Sequence, residues 1–290
     1  MIALLDSTDI TQEAHSRLTG LRDGAMSFTS FFDAANAHPV LSALPTADEL
    51  MTAMLPPLSV GTPAACLQAK QIDYPPARAS DAGLTMKVEG QGDGYALEWG
   101  LLLTPGLRTD TGDTNGASLN NSAATLFGAQ AYLQVTAFTG TSVTVEVEHA
   151  PDGSTWASLL AFTAATAAPA TQRLATFSGK FSATDASPAV FTAPGSALAN
   201  GTPVSLIAPG SPQALPGGFS AATTYYVVDA STDTFSLAAS SGGSAIDSSS
   251  AGTGVVNQVV DQYLRVITTG TFSSATFAVV VNRNQAVTNF

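Results

Sequence analysis

Apolar and polar residues alternate along two stretches of the chain, and the two stretches resemble each other. Tyr132-Leu133-Gln134-Val135 leads through Phe138 to Thr139-Gly140-Thr141, then to Val143-Thr144-Val145-Glu146-Val147-Glu148. Towards the C-terminus, Tyr263-Leu264-Arg265-Val266 leads to Thr269-Gly270-Thr271, then to Ala275-Thr276-Phe277-Ala278-Val279. With a period of two, Val143, Val145 and Val147 fall on one face and Thr144, Glu146 and Glu148 on the other, the pattern of a strand with one wet side. Each copy is expected to be a strand, a tight turn at the glycine, and a second strand. A lone hairpin is marginal in water, so the two are expected to pack together as a β-sandwich.

Other stretches extend the β pattern. Met26 to Phe32, Cys66 to Asp73, Leu84 to Gly90, Tyr95 to Leu103, Trp156 to Phe162 and Gln172 to Phe181 are strand candidates, and Phe28, Phe31 and Phe32 are assigned to a core. Tyr74-Pro75-Pro76 and Asp93-Gly94 supply turns. Pro105 to Ser122 is polar and aperiodic, a linker or exposed loop, and residues 11–18 suit a helical turn or an extended arm. One segment predicts a helix. Thr46 is a cap candidate, Asp48 and Glu49 lie in the first turn, Leu50, Met51, Met54 and Leu55 have helical spacing, and Pro56-Pro57 ends the run.

Residues 182–256 differ in kind, with no Lys or Arg and a surplus of Ser, Ala, Gly, Pro and Thr. Strand signals persist at Ala189–Thr192, Val204–Ile207, Thr224–Val228 and Thr234–Leu237, with a loop at Asp229–Asp233. A small β module grafted into a loop of the host sandwich accounts for both features. The expected organisation is mainly β: a β domain over 1–120 with a flanking helix near 46–55, a second sandwich half from 121–181 plus 257–290, and the inserted module over 182–256.

Charge and composition narrow the function. Charged residues make up only 11% of the chain, which suits a surface that packs against copies of itself. The net charge is −12, and residues 1–120 hold 14 acidic against 6 basic groups, so no basic stripe exists to neutralise a phosphate backbone. The single cysteine, Cys66, lies in an apolar run and is read as a small buried hydrophobe, which excludes a disulfide framework. Asp6 interrupts the opening apolar residues too early for a signal-peptide core, so synthesis and folding in a reducing cytoplasm are expected.

Catalytic chemistry finds little support in the pattern. His15, His38 and His149 have no second ligand at metal spacing, and no G-x-S-x-G elbow occurs. Gly90-Gln91-Gly92-Asp93-Gly94 lacks a following Lys-Ser/Thr and reads as a turn. Aligning Asp110 to Ser122 with a calcium loop puts Thr111 and Ser122 where acidic ligands belong, so a polar loop is the better reading. Glu146, Glu148 and Asp152 could be arranged as paired carboxylates, but the first two alternate with valines on a wet face. No catalytic residue, metal or cofactor is expected.

Leu21-Arg22-Asp23-Gly24, Leu97-Glu98-Trp99-Gly100 and Arg108-Thr109-Asp110-Thr111, with the two repeated stretches, carry a family resemblance. Over roughly residues 18–181 and 257–284 the chain resembles the major tail (tube) proteins of long, non-contractile-tailed (siphovirus) bacteriophages, especially those of actinobacteria. Residues 188–246, with Leu215-Pro216-Gly217-Gly218-Phe219, look like a β module inserted in assorted phage structural proteins. The resemblance implies a β-sandwich with a flanking helix, and rings of six copies closed by their inner strands. It also implies stacking of those rings around a tape-measure protein, contacts with tail-completion proteins, and passage of DNA without sequence-specific binding. The implied location is the virion tail, assembled in the host cytoplasm and away from membranes. It maps Asp48, Glu49, Leu50, Met51, Met54 and Leu55 to contacts between subunits and rings. Relatives commonly have a strand ahead of the region matching Asp9-Ile10-Thr11, whereas only a few residues precede it here.

Two other classes compete. The Asp152-to-Trp156 turn and the Tyr263-Leu264-Arg265-Val266 strand loosely resemble discoidin-like carbohydrate-binding sandwiches, which would make Trp156 a glycan contact of a host-adhesion module. A tail-terminator or head-decoration protein is the third class, distinguished from a tube protein by stopping at a single ring.

Overall fold

The computed structural model describes residues 2–6, 17–35, 37–44, 47–78 and 83–286. The chain is mainly β and divides into two compact units, Met1–Leu58 with Thr62–Leu101, and Ser59–Gly61 with Leu102–Phe290.

The first unit contains β1 (Ile2–Asp6), β2 (Arg17–Arg22), β3 (Ala25–Phe31), α1 (Ala37–Leu41), β4 (Glu49–Met54), β5 (Pro63–Asp73), β6 (Pro76–Arg78), β7 (Leu84–Gly92) and β8 (Glu98–Leu102). β1 and β2 form a separate antiparallel ribbon, so a strand does stand ahead of residue 9. Most of the stretch assigned to a helical turn or arm lies outside the described residues. β5 is central: it pairs with β4 on one side, and with β8 and then β7 on the other, while β7 also holds β6 and β3. Its Ala64-Ala65-Cys66-Leu67 run is buried throughout, because a strand covered on both faces needs no alternation.

The helix predicted near 46–55 is instead strand β4, paired residue for residue from Glu49–Ala69 to Met54–Ala64. An isolated helix of that length is marginal, whereas the apolar central strand beside it offers a full ladder of hydrogen bonds. The short helix stands earlier, at Ala37–Leu41. There the Asp33 carbonyl accepts the His38 N–H at 2.9 Å, and Pro39 sits in the first turn, where its missing donor is no loss. The core assignment of Phe28, Phe31 and Phe32 is also corrected: they are 47%, 80% and 38% exposed. β3 is the last strand on its side of the sheet, and among the described residues no position along it is fully buried.

The second unit adds β9 (Arg108–Asp110), β10 (Thr114–Asn115), β11 (Leu119–Asn120), β12 (Ala129–Ala150), β13 (Ala157–Ala161), β14 (Ala170–Ala175), β15 (Ser178–Ala183), β16 (Phe191–Thr192), β17 (Pro203–Ile207), β18 (Thr224–Val228), β19 (Thr234–Ala238), β20 (Gly252–Gln258) and β21 (Tyr263–Arg283). The two repeated stretches are not hairpins. Each is one long strand, β12 and β21, and they pair antiparallel from Ala129–Arg283 to Ala150–Tyr263. Register shifts flank Val135, Thr139 and Gly140, the signature of bulges that bend a ribbon. The first half of β12 pairs with β14 and the second with β13, while β21 pairs with β11 and β10 and then with β9. Leu133 and Val135 from one half meet Val145, Val147, Leu264, Val266, Phe277 and Val279 in a single buried core. One bent ribbon thus supplies both faces of a sandwich. Pro105 to Ser122 is not a free linker, since it contains β9, β10 and β11, all laid on β21.

The glycines mark the bend. A Cβ on Gly270, at φ +142°, would lie 2.4 Å from the Ser142 carbonyl oxygen, and one on Gly140, at φ +154°, would lie 2.4 Å from the Phe272 Cα. The obstacles are backbone atoms of the partner strand, so only glycine fits this close approach.

The Ser/Ala/Gly-rich module is a closed barrel in the order β15-β16-β19-β18-β17-β20. The predicted strand Gln172–Phe181 breaks at Thr176-Phe177 into β14 of the sandwich and β15 of the barrel, so the barrel begins at Ser178. Aromatic rings fill it: Phe191 stacks on Phe235 at 5.6 Å and meets Phe219 edge-on at 5.0 Å.

Gly270→Ala is expected to destabilise the protein by about 2–4 kcal/mol in denaturant unfolding. Gly112→Ala, with open space around it, is expected to stay within about 0.5 kcal/mol.

Candidate assembly surface

The polar clusters of the second unit are committed to structure. Buried Asp110 accepts from Arg108 Nη2 at 2.7 Å and from the Thr268 hydroxyl at 2.8 Å, while Arg108 lies 4.9 Å over the Phe277 ring. The Asp113 carboxylate accepts the Gly270 N–H at 3.0 Å. The loop once compared with a calcium site therefore spends its acids on holding β21. Among the described residues, no group of three or more His, Cys, Asp or Glu could hold a metal.

Glu148 is half-buried and meets Arg265 Nε at 2.6 Å; the Arg265 guanidinium lies 4.2 Å over Trp156. Trp156 is thus partly covered, with one indole face occupied by a cation. Asp152 accepts the Thr155 N–H at 2.7 Å and the Ser154 N–H at 2.8 Å, and these backbone bonds hold its carboxyl well below the usual carboxylate range. Glu146, opposite Ile267, takes no part in this cluster, and the three acids do not converge on a common point. His149 is buried against Asp261 at 3.0 Å, and His15 lies outside the described residues.

The residues mapped to subunit contacts sit on and beside strand β4 instead of on a helix. Alternation splits them: Met51 packs towards Gly90, whose Cβ would lie 2.5 Å from its sulfur, while Leu50 and Met54 fall on the opposite face. Leu55 follows the strand and is exposed, as is Glu49. Asp48 accepts from Lys70 Nζ at 2.5 Å and from Gln68 Nε2 at 2.9 Å, and Lys70 also reaches Asp93 at 2.9 Å. The Lys70 hydrogen bond, then that of Gln68, lowers the Asp48 pKa. The six residues therefore lie along one strand and its ends and do not form a single helical face.

What the alternation pattern missed is how unevenly apolar surface is distributed. Among the described residues, twelve large hydrophobic side chains are exposed, and only Leu107 and Val190 of these belong to the second unit. The other ten, including Phe28, Phe31, Ile72, Tyr95 and Trp99, belong to the first. β3 ends the path of the sheet on the side of the first unit, and β4 lies beside β5. A bordering Phe-Thr-Ser-Phe strand was legible as a strand, but sequence gives no sign of which strands finish a sheet.

Together the arrangement defines a mainly β chain in which most of the exposed large apolar side chains among the described residues belong to the first unit. No family model, curated protein or solved structure matches the chain. No helix among the described residues is long and apolar enough to cross a membrane.

Two outcomes test these placements. Arg265→Ala is expected to destabilise by about 1–3 kcal/mol, because Glu148 is left half-buried without its cation. A double-mutant cycle with Glu148→Ala should return a coupling of about 1–2 kcal/mol. Cys66 is 1% exposed, and burial pushes its thiol from 9.0 up to about 12. The unfolded thiol ionises first, so its contribution to stability is complete below pH 9.0 and is lost between 9.0 and about 12. A thiol reagent at pH 8 should label Cys66 only on unfolding.

Proposed function

We propose that the protein is a structural protein that assembles with copies of itself, as hexameric rings stacked into the tail tube of a siphovirus-type virion. The observation that carries this reading is the concentration of exposed apolar side chains on the first unit, where ten of the twelve among the described residues lie. The gathering of exposed apolar side chains on one unit supports an interaction role, and a bordering strand such as β3 is a template for further pairing. Covering such a border with an identical copy removes it, and cyclic symmetry lets one type of contact serve every copy in a ring. β3 supplies the border, and Glu49, Leu50, Met51, Met54 and Leu55 lie on or beside β4.

A net charge of −12 suits a conduit: a wall that held DNA tightly would arrest it. In this role the tape-measure protein occupies the bore during assembly, tail-completion proteins cap it, and the genome passes without a bond being made or broken.

The test is assembly. Purified protein should form rings or tubes of uniform bore in negative-stain microscopy, and its sedimentation should depend on concentration. A chain that stays monomeric at about 100 μM, well above the micromolar affinities that ordinary interfaces reach, would overturn the proposal. Termination at a single ring would favour the terminator reading.

A further inference from the structure

Four successive backbone amides fix the crossing by which the chain leaves the barrel and rejoins the sandwich. The Gln258 N–H donates to the Phe177 carbonyl at 2.9 Å, and the Val259 N–H to the Pro203 carbonyl at 2.8 Å. Next, the Val260 N–H donates to the Thr125 carbonyl at 3.0 Å. The fourth differs in kind, because the Asp261 N–H donates to Nδ1 of His149 at 3.2 Å. A carbonyl accepts whatever the pH, whereas an imidazole nitrogen accepts only while it carries no proton.

The same nitrogen has a second neighbour. A carboxylate oxygen of Asp261 lies 3.0 Å from it, so one imidazole atom faces both a backbone donor and a charged acceptor of a single residue. Other charges act elsewhere. His149 is buried on the inward face of β12 with Val145 and Val147, while Glu146 and Glu148 fall on the opposite face, where Glu148 is paired with Arg265 at 2.6 Å. Tyr263, the remaining titratable group at that end of β21, lies against Gly153, and Asp152 accepts from Ser154 and Thr155. Neither β13 nor the segment 121–128 carries a titratable residue. From the far end of β21, Arg283 feels the Asp261 charge, which opposes the lowering of the Arg283 pKa by burial.

We propose that His149 and Asp261 form a proton-linked clasp on this crossing. With the proton on Nε2, neutral His149 accepts the Asp261 amide at Nδ1. When Nδ1 takes a proton from solvent, the imidazolium donates it to the Asp261 carboxylate and has no lone pair left for the amide. The two residues stay in contact through an ion pair in place of a backbone bond, while the crossing loses the last of its four amide anchors. The loosening is confined to one residue, because Val260 exchanges both of its backbone bonds with Thr125 and neither partner titrates. The clasp lies within the second unit and does not depend on the assembly reading.

Hydrogen exchange resolved to single amides by mass spectrometry tests this on the whole chain, whether monomeric or assembled. Protection is taken relative to the intrinsic exchange rate at each pH. For the Asp261 amide it should fall about 2- to 10-fold between about pH 8 and about pH 5, the worth of one hydrogen bond over the range in which a histidine changes charge. The Val260 amide, donated to a carbonyl, should keep its protection throughout. His149→Asn sets an amide oxygen near the place of Nδ1, so Asp261 should stay protected at both ends of the range. Should that variant fail to fold, His149→Leu removes the acceptor and should leave Asp261 equally unprotected at both ends. Constant protection of Asp261 in the parent chain would overturn the clasp, and so would an equal fall in either variant. A fall shared by Val260 would also overturn it, since the whole crossing would then be opening.

Discussion

Everything in the second unit hangs on the ladder between β12 and β21. These strands meet from Ala129–Arg283 to Ala150–Tyr263 although more than a hundred residues separate them in sequence. The pairing closes a very long loop, and such contacts come at a high entropic cost before any return. Two features offset it. Inward valines and leucines from both halves of each strand share one core, and the bend at Gly140 and Gly270 turns a single ribbon into two facing layers. Flanking strands β9, β10, β11, β13 and β14 then attach to a template that already exists.

The first unit follows a different logic. β5 is buried over Ala64–Leu67, yet the sheet around it thins towards β3, where aromatic residues face solvent. Among the described residues, most of the large apolar side chains left exposed lie on the first unit. The ion pairs show the same division. Arg108–Asp110 and Arg265–Glu148 are shielded, whereas Lys70 with Asp48 and Asp93 lies open to solvent, where such pairs contribute little.

Much of this was legible from residues alone, and the failures have physical causes. The alternation at Val143, Val145 and Val147 placed the core face correctly, and the strands Thr224–Val228 and Thr234–Ala238 were found nearly to the residue. The glycine in Thr-Gly-Thr was read as a hairpin turn because a turn and a bulge share the same local chemistry. Only the partner strand, which brings Ser142 against Gly270, distinguishes them. Glu49 to Met54 has helical spacing and strand neighbours, and a six-residue ladder overrode the spacing. Phe28 and Phe31 were assigned to a core because hydrophobicity alone does not say whether a strand lies inside a sheet or at its border. The segment mapped to subunit contacts inherited the helix reading, and it is a strand over Glu49–Met54.

The barrel leaves by the same door through which it enters. Ser178 pairs with Asn257, and the Gln258 N–H is donated to the Phe177 carbonyl at 2.9 Å, so the two crossings are neighbours in one antiparallel rung. A graft with adjoining ends needs from its host little more than a gap one strand-spacing wide, with the Ser205 hydroxyl donating to the Leu126 carbonyl at 2.6 Å as a further tie. The sandwich can therefore carry, lose or exchange that ornament over evolutionary time while its own architecture stands unaltered.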